Sequence, residues 1–82
     1  MGTTREEIKE WLDNAIKQGA THMIVACDTF DYEDYPVSVM PGESVEEAIK
    51  KYKTINMSKV MEVYNLSMPI ETQLAEFRAW NI

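Results

Sequence analysis

Four carboxylates and three aromatic rings crowd one short stretch of this chain, Cys27-Asp28-Thr29-Phe30-Asp31-Tyr32-Glu33-Asp34-Tyr35-Pro36, with no basic residue among them. Asp28, Asp31, Glu33 and Asp34 offer the hard oxygen ligands that suit Mg²⁺ or Ca²⁺. Their spacing does not fit an EF-hand loop, because no glycine sits in the middle and the bidentate glutamate is missing. A solvated acidic loop therefore outweighs a metal site. General acid–base work by a carboxylate pair is no better served, since nothing in the sequence drives one pKa away from another. The aromatic members point elsewhere. A connection that only had to turn the chain would use glycine or asparagine with small polar neighbours. Exposed rings beside acidic groups cost solubility unless something covers them, so the segment predicts a contact surface. Tyr32 and Tyr35, framed by Asp31, Glu33 and Asp34, are its expected anchors. Phe30 is expected to fold inward and staple the loop to the core.

His22 and Cys27 are the other reactive types, five residues apart on a strand-like run. An ideal pleat points them to opposite faces, which disposes of a simple Cys-His dyad within one chain. Cys27 reads as a small buried hydrophobe, and His22 as a cap or surface residue. There is no phosphate-binding glycine motif, zinc spacing or nucleophile elbow, so no catalytic residue, cofactor or metal is expected. The available cations are Lys50, Lys51 and Lys53, clustered near the end of a predicted helix, with Lys59 and Arg78 apart from them. Two readings of the cluster compete. Lysines at a helix end complement the macrodipole. They could also assemble an anion site, completed by the aromatic loop of a neighbouring subunit.

Eighty-two residues make a single domain, 1–82, with a thin stability margin and no disulfide, since Cys27 is the lone cysteine. A homo-oligomer would bury more apolar surface and is expected. The net charge of −6 disfavours a duplex nucleic-acid binder, which needs a cationic face. It also disfavours an anionic membrane surface. No apolar run reaches transmembrane length and the N-terminus lacks a signal-peptide core, so the expected location is the cytoplasm.

The elements that position these residues follow from periodicity and caps. Thr4 and Glu7 fit a capping box, and Ile8, Trp11, Leu12, Ala15 and Ile16 form one helical stripe closed by Gly19. Thr21 to Asp28 predicts a central strand, apolar on both faces over Met23 to Cys27. Tyr35 to Met40 alternates as a second strand, at an edge or starting after Pro36, because proline cannot donate to a ladder. Ser44 and Glu47 make a second capping box, opening a helix with Val45, Ala48, Ile49 and Tyr52 inward. Met57 to Leu66 favours a strand by its β-branched content; a helix with Val60, Met61 and Tyr64 inward is the alternative. Pro69, Ile70, Leu74, Phe77 and Trp80 mark a C-terminal amphipathic helix. The expected fold is α+β in the order α-β-β-α-β-α. Its three-stranded sheet has the order 2-1-3, with the apolar first strand in the centre.

The run from Gly19 to Val37, together with Met40-Pro41-Gly42-Glu43, Val60-Met61-Glu62-Val63-Tyr64 and Gln73-Leu74-Ala75-Glu76, resembles a family of small phage and prophage proteins of unassigned function. The resemblance spans nearly the whole chain and brings no catalytic residues with it. It implies a small cytoplasmic protein of a phage accessory region. Proteins of that kind include anti-defence factors that sequester nucleotide second messengers, and others that plug or mimic a host surface.

Two expectations about function follow. In the first, a non-enzymatic counter-defence protein acts as an oligomer and sequesters a small nucleotide signal, with loop aromatics for stacking and lysines for phosphate. In the second, an acidic inhibitor docks residues 28–35 on a basic surface of a host or defence protein, with the carboxylates steering association. A small hydrolase using Asp28, Asp31 or His22 comes third.

Overall fold

In the computed structural model, residues 3–55, 57–76 and 78–82 are described. Three helices and three strands alternate as α1 (Arg5–Lys17), β1 (His22–Asp28), β2 (Glu33–Val39), α2 (Val45–Thr54), β3 (Ser58–Asn65) and α3 (Ile70–Leu74). The fold is α+β, with an antiparallel sheet in the order β2-β1-β3. The ambiguous segment 57–66 is thus a strand, and the apolar β1 is central, as its composition requires.

The two longer helices, α1 and α2, start where a side chain can satisfy free amides, while α3 starts after Pro69 without a side-chain cap. Thr4 Oγ1 accepts from Glu7 N at 3.1 Å and Glu7 Oε1 accepts from Thr4 N at 3.4 Å, closing the capping box of α1. Gly19, at φ 82°, takes the left-handed conformation that ends α1, and Ala20 N donates to Ala15 O at 3.0 Å. At α2 only half of the expected box forms. Ser44 Oγ accepts from Glu47 N at 3.3 Å, while Glu43 reaches back to accept from Met40 N at 2.8 Å.

The sheet buries a core on each face. Ile8, Leu12 and Ala15 of α1 pack with Met23, Val25 and Tyr64, and Ile70 and Leu74 of α3 flank the same cluster. On the other face Ile49 of α2 packs with Ile24, Val39, Val60 and Val63. Two-sided burial explains why β1 reads as a continuous apolar run. Ile16 departs from its predicted place: it is exposed, while Ala15 beside it is buried, so the buried stripe of α1 is narrower than the periodicity predicts.

Simple alternation fails in β3. Val25 pairs with Glu62 and Ala26 with Val60, so Met61 is an extra residue, a β-bulge. Val60 and Val63 therefore share the α2 face, while Met61, Glu62 and Tyr64 face α1.

The predicted C-terminal helix is much shorter than its pattern suggested. It ends at Leu74, and the chain returns as an extended segment beside β3. Val63 N donates to Ala79 O and Asn81 N to Val63 O, both at 3.0 Å, in a parallel bridge between Val63 and Trp80. Trp80 is thus a sheet-edge residue and not a helical one; Phe77 lies outside the described residues. The free edge of β3 is more valuable to these backbone groups than two further helical turns, because it satisfies their hydrogen bonds on an otherwise open ladder.

Candidate functional site

The acidic aromatic segment forms the tip of the β1–β2 hairpin. Asp28 Oδ1 accepts from Phe30 N at 2.8 Å and from Asp31 N at 3.5 Å, an Asx turn that stiffens the loop from within. Thr29 N donates to Met57 O at 2.9 Å and ties the tip to the connection that enters β3. Tyr32 and Met57 both take positive φ, 57° and 64°, the left-handed region that non-glycine residues rarely occupy.

Phe30 is not a core residue. Its accessible fraction is 72%, and that of Tyr32 is 66%. The four-residue connection between Asp28 and Glu33 is too short to fold a ring back over the sheet, and the Asx turn points this part of the chain outward. Met57 and Ile55 are also exposed at this end of the sheet. Asp31 and Glu33 stand beside the rings and are exposed as well. The tip thus presents apolar rings with a carboxylate rim.

Tyr35 behaves differently. Its hydroxyl shares a 2.9 Å hydrogen bond with Ser58 Oγ, and its ring meets Tyr52 of α2 edge-on at 6.3 Å. It is half-buried and packs against α2. Asp34 lies opposite Cys27, off the tip. Burial pushes the Cys27 thiol pKa up, and Asp34 beside it pushes the same way, so the thiol stays protonated and is a poor nucleophile. The register places His22 at the far end of β1, opposite Val39 and Asn65, with Nδ1 3.0 Å from Thr21 Oγ1. Among the described residues, no group of three or more His, Cys, Asp or Glu converges as a metal ion would require.

The lysine cluster divides across α2. Lys51 Nζ stands 5.6 Å from the ring centre of Tyr52, on the side that faces β2. Lys50 and Lys53 turn to the opposite side, where they line a groove with Ile49, Trp80 and Ile82. Within one chain, then, the tip aromatics and Lys50 and Lys53 do not form one site. Trp80 was missed as a surface residue because its spacing from Ile70 and Leu74 fits a helical stripe, and only the sheet edge overrides that pattern.

A second missed cluster lies under α1. Glu62 is 8% exposed and accepts from Tyr64 Oη at 3.0 Å, Ala79 N at 3.1 Å and Arg5 Nη1 at 3.3 Å. Arg5 also donates to Tyr64 Oη at 3.0 Å and to Glu76 O at 3.1 Å. Burial, then the Glu62 carboxylate, pushes the Tyr64 hydroxyl pKa well above the usual phenol range. The signal was a lone glutamate inside the apolar run Val60-Met61-Glu62-Val63-Tyr64, which must be partnered if it is buried.

No protein family, curated protein or solved structure matches the chain.

Proposed function

We propose that this chain is a non-enzymatic accessory protein of the phage type, acting in counter-defence in the host cytoplasm, that docks its hairpin tip on a basic surface of a host or defence protein. The observation that carries this reading is the exposure of Phe30 and Tyr32 on a hairpin tip that Asp28 and Met57 hold in place. Aromatic residues held in one conformation make good interface anchors, because little conformational entropy remains to be lost on binding. Asp31 and Glu33 would steer a cationic partner toward the rings and raise the association rate. A nucleotide sink built from the tip aromatics and the three lysines would need a second copy. In one chain Tyr35 turns to Tyr52, and Lys50 and Lys53 face Trp80.

A photoreactive phenylalanine analogue at position 30 should crosslink a basic protein in the host cell. Capture should fail for the doubly reversed Asp31→Lys, Glu33→Lys chain. With the purified pair, association should slow steeply as salt rises. A complex indifferent to salt and to both reversals would end this reading.

A further inference from the structure

We propose that the groove between α2 and the C-terminal extended segment binds a nucleotide, with its base against Trp80 and its phosphate among Lys50, Lys53 and Arg78. The site is separate from the hairpin tip and shares no residue with it.

The groove is lined by Ile49, Trp80 and Ile82 with the cations Lys50 and Lys53, and offers about 400 Å³ open to solvent, within the volume range of small-ligand sites. Arg78 lies beyond the lining but reaches the same indole, its guanidinium carbon 5.2 Å from the Trp80 ring centre. The chain has only eight basic residues against fourteen acidic ones. Two of the eight, Lys53 and Arg78, stand 5.2 Å from the ring centre of one indole, and Lys50 shares the groove lining with Glu46. An acidic chain repels phosphate everywhere except where cations are concentrated, so this local excess defines where an anion can settle.

The parts are positioned for such a ligand. Arg78 is pinned by donating from Nε to Met61 O at 2.8 Å and from Nη2 to Val60 O at 3.2 Å. The backbone around Trp80 is held by the bridge to Val63, and the indole lines the groove beside Ile49 and Lys53 of α2. Lys53 Nζ rests 5.2 Å from the ring centre on a flexible stem. A base stacked on an indole gains more than an exposed ammonium does from the same ring. The base therefore displaces the Lys53 ammonium, which swings out to meet the phosphate. Trp80 is 36% exposed, enough for a ring face or edge to receive a base.

The test uses the full chain, isotopically labelled, titrated with AMP, GMP, cyclic di-AMP, cyclic di-GMP and inorganic phosphate. Trp11, the second tryptophan, packs against the α1 core and serves as the internal control. At least one nucleotide should shift the Trp80 indole N–H saturably and leave that of Trp11 in place. Lys50→Glu with Lys53→Glu, both exposed positions on α2, should weaken that binding roughly tenfold or more, as should Trp80→Leu. If Trp80→Leu loosens the C-terminal segment, the lysine reversals carry the test alone. Phe30→Ser with Tyr32→Ser should leave nucleotide affinity unchanged, so a failed tip and a failed groove are told apart. The proposal is overturned if no nucleotide shifts Trp80, if phosphate alone shifts it equally, or if the lysine reversals leave affinity intact.

Discussion

Glu62→Ala should detach the C-terminal extended segment from the sheet, and the size of the effect follows from its partners. The carboxylate is buried and receives three donors, from Tyr64, Ala79 and Arg5. The two contacts that matter come from Tyr64 Oη and Ala79 N, at 3.0 and 3.1 Å. Hydrogen bonds to a charged group contribute about 1.5–3 kcal/mol each. The ion pair with Arg5 is long, 3.3 Å, and the arginine side chain is 47% exposed, so solvent screening leaves it a minor contributor. Alanine also relieves the desolvation cost of the buried carboxylate, which offsets part of the loss. The net cost should be about 3 kcal/mol, the low end for losing two hydrogen bonds to a charged group. For a domain of this size that lowers Tm by roughly 12–24 °C. Glu62→Gln keeps an acceptor for Ala79 N and should cost about 1 kcal/mol, the scale of a neutral hydrogen bond. Urea unfolding measures both variants, and hydrogen exchange at Asn81 N, which donates to Val63 O, reports the segment itself. If Glu62→Ala costs less than about 1 kcal/mol and Asn81 stays protected, the carboxylate is not what fastens the segment.

Three further outcomes follow from other contacts. Burial raises the folded pKa of Tyr64 above the unfolded value near 10, so the stability this side chain supplies is complete below that pH and lost above it. The stability gap between the wild type and Tyr64→Phe should accordingly narrow above pH 10, by up to about 1.4 kcal/mol per pH unit, in urea titrations; a constant gap would refute this. Gln73→Ala removes a buried side chain that accepts from Asn65 N (2.8 Å) and donates to Asn65 O (2.8 Å), so unfolding free energy should fall by about 2–3 kcal/mol. Asp28→Ala frees the amides of Phe30 and Asp31; backbone ¹⁵N relaxation should show faster motion over 29–32, and crosslinking from position 30 should drop, while global stability changes by no more than about 1 kcal/mol.

The helices α1 and α2, the three strands and the sheet order were legible because local rules mark them, whereas the extent of α3 was not. Thr4 with Glu7 starts α1, Gly19 ends it, and Pro36 marks β2 as an edge. The apolar run Met23 to Cys27 demands cover on both faces, which puts β1 in the middle. The acidic and aromatic make-up of the 28–35 segment was equally plain from its residue types. Which of its rings are available was not. Tyr35 is drawn inward by Ser58 and Tyr52, residues brought near only by the pairing of β1 with β3 and the packing of α2. Phe30 stays out because Asp28 spends its carboxylate on the turn.

The same distinction holds for the cations and for Trp80. Helical spacing shows that Lys50, Lys51 and Lys53 are near in sequence, but a helix turns about 100° per residue, so neighbours in the chain need not share a face. The sheet under α2 decides that Lys51 meets Tyr52 while Lys53 meets Trp80. Trp80 reaches that place because the backbone after α3 finds unsatisfied groups along the edge of β3, and a long-range ladder outcompetes a local helical pattern. Composition and periodicity were enough for a small acidic α+β domain with an aromatic hairpin tip. Side-chain partners far apart in sequence, which no local rule encodes, chose the surfaces it offers.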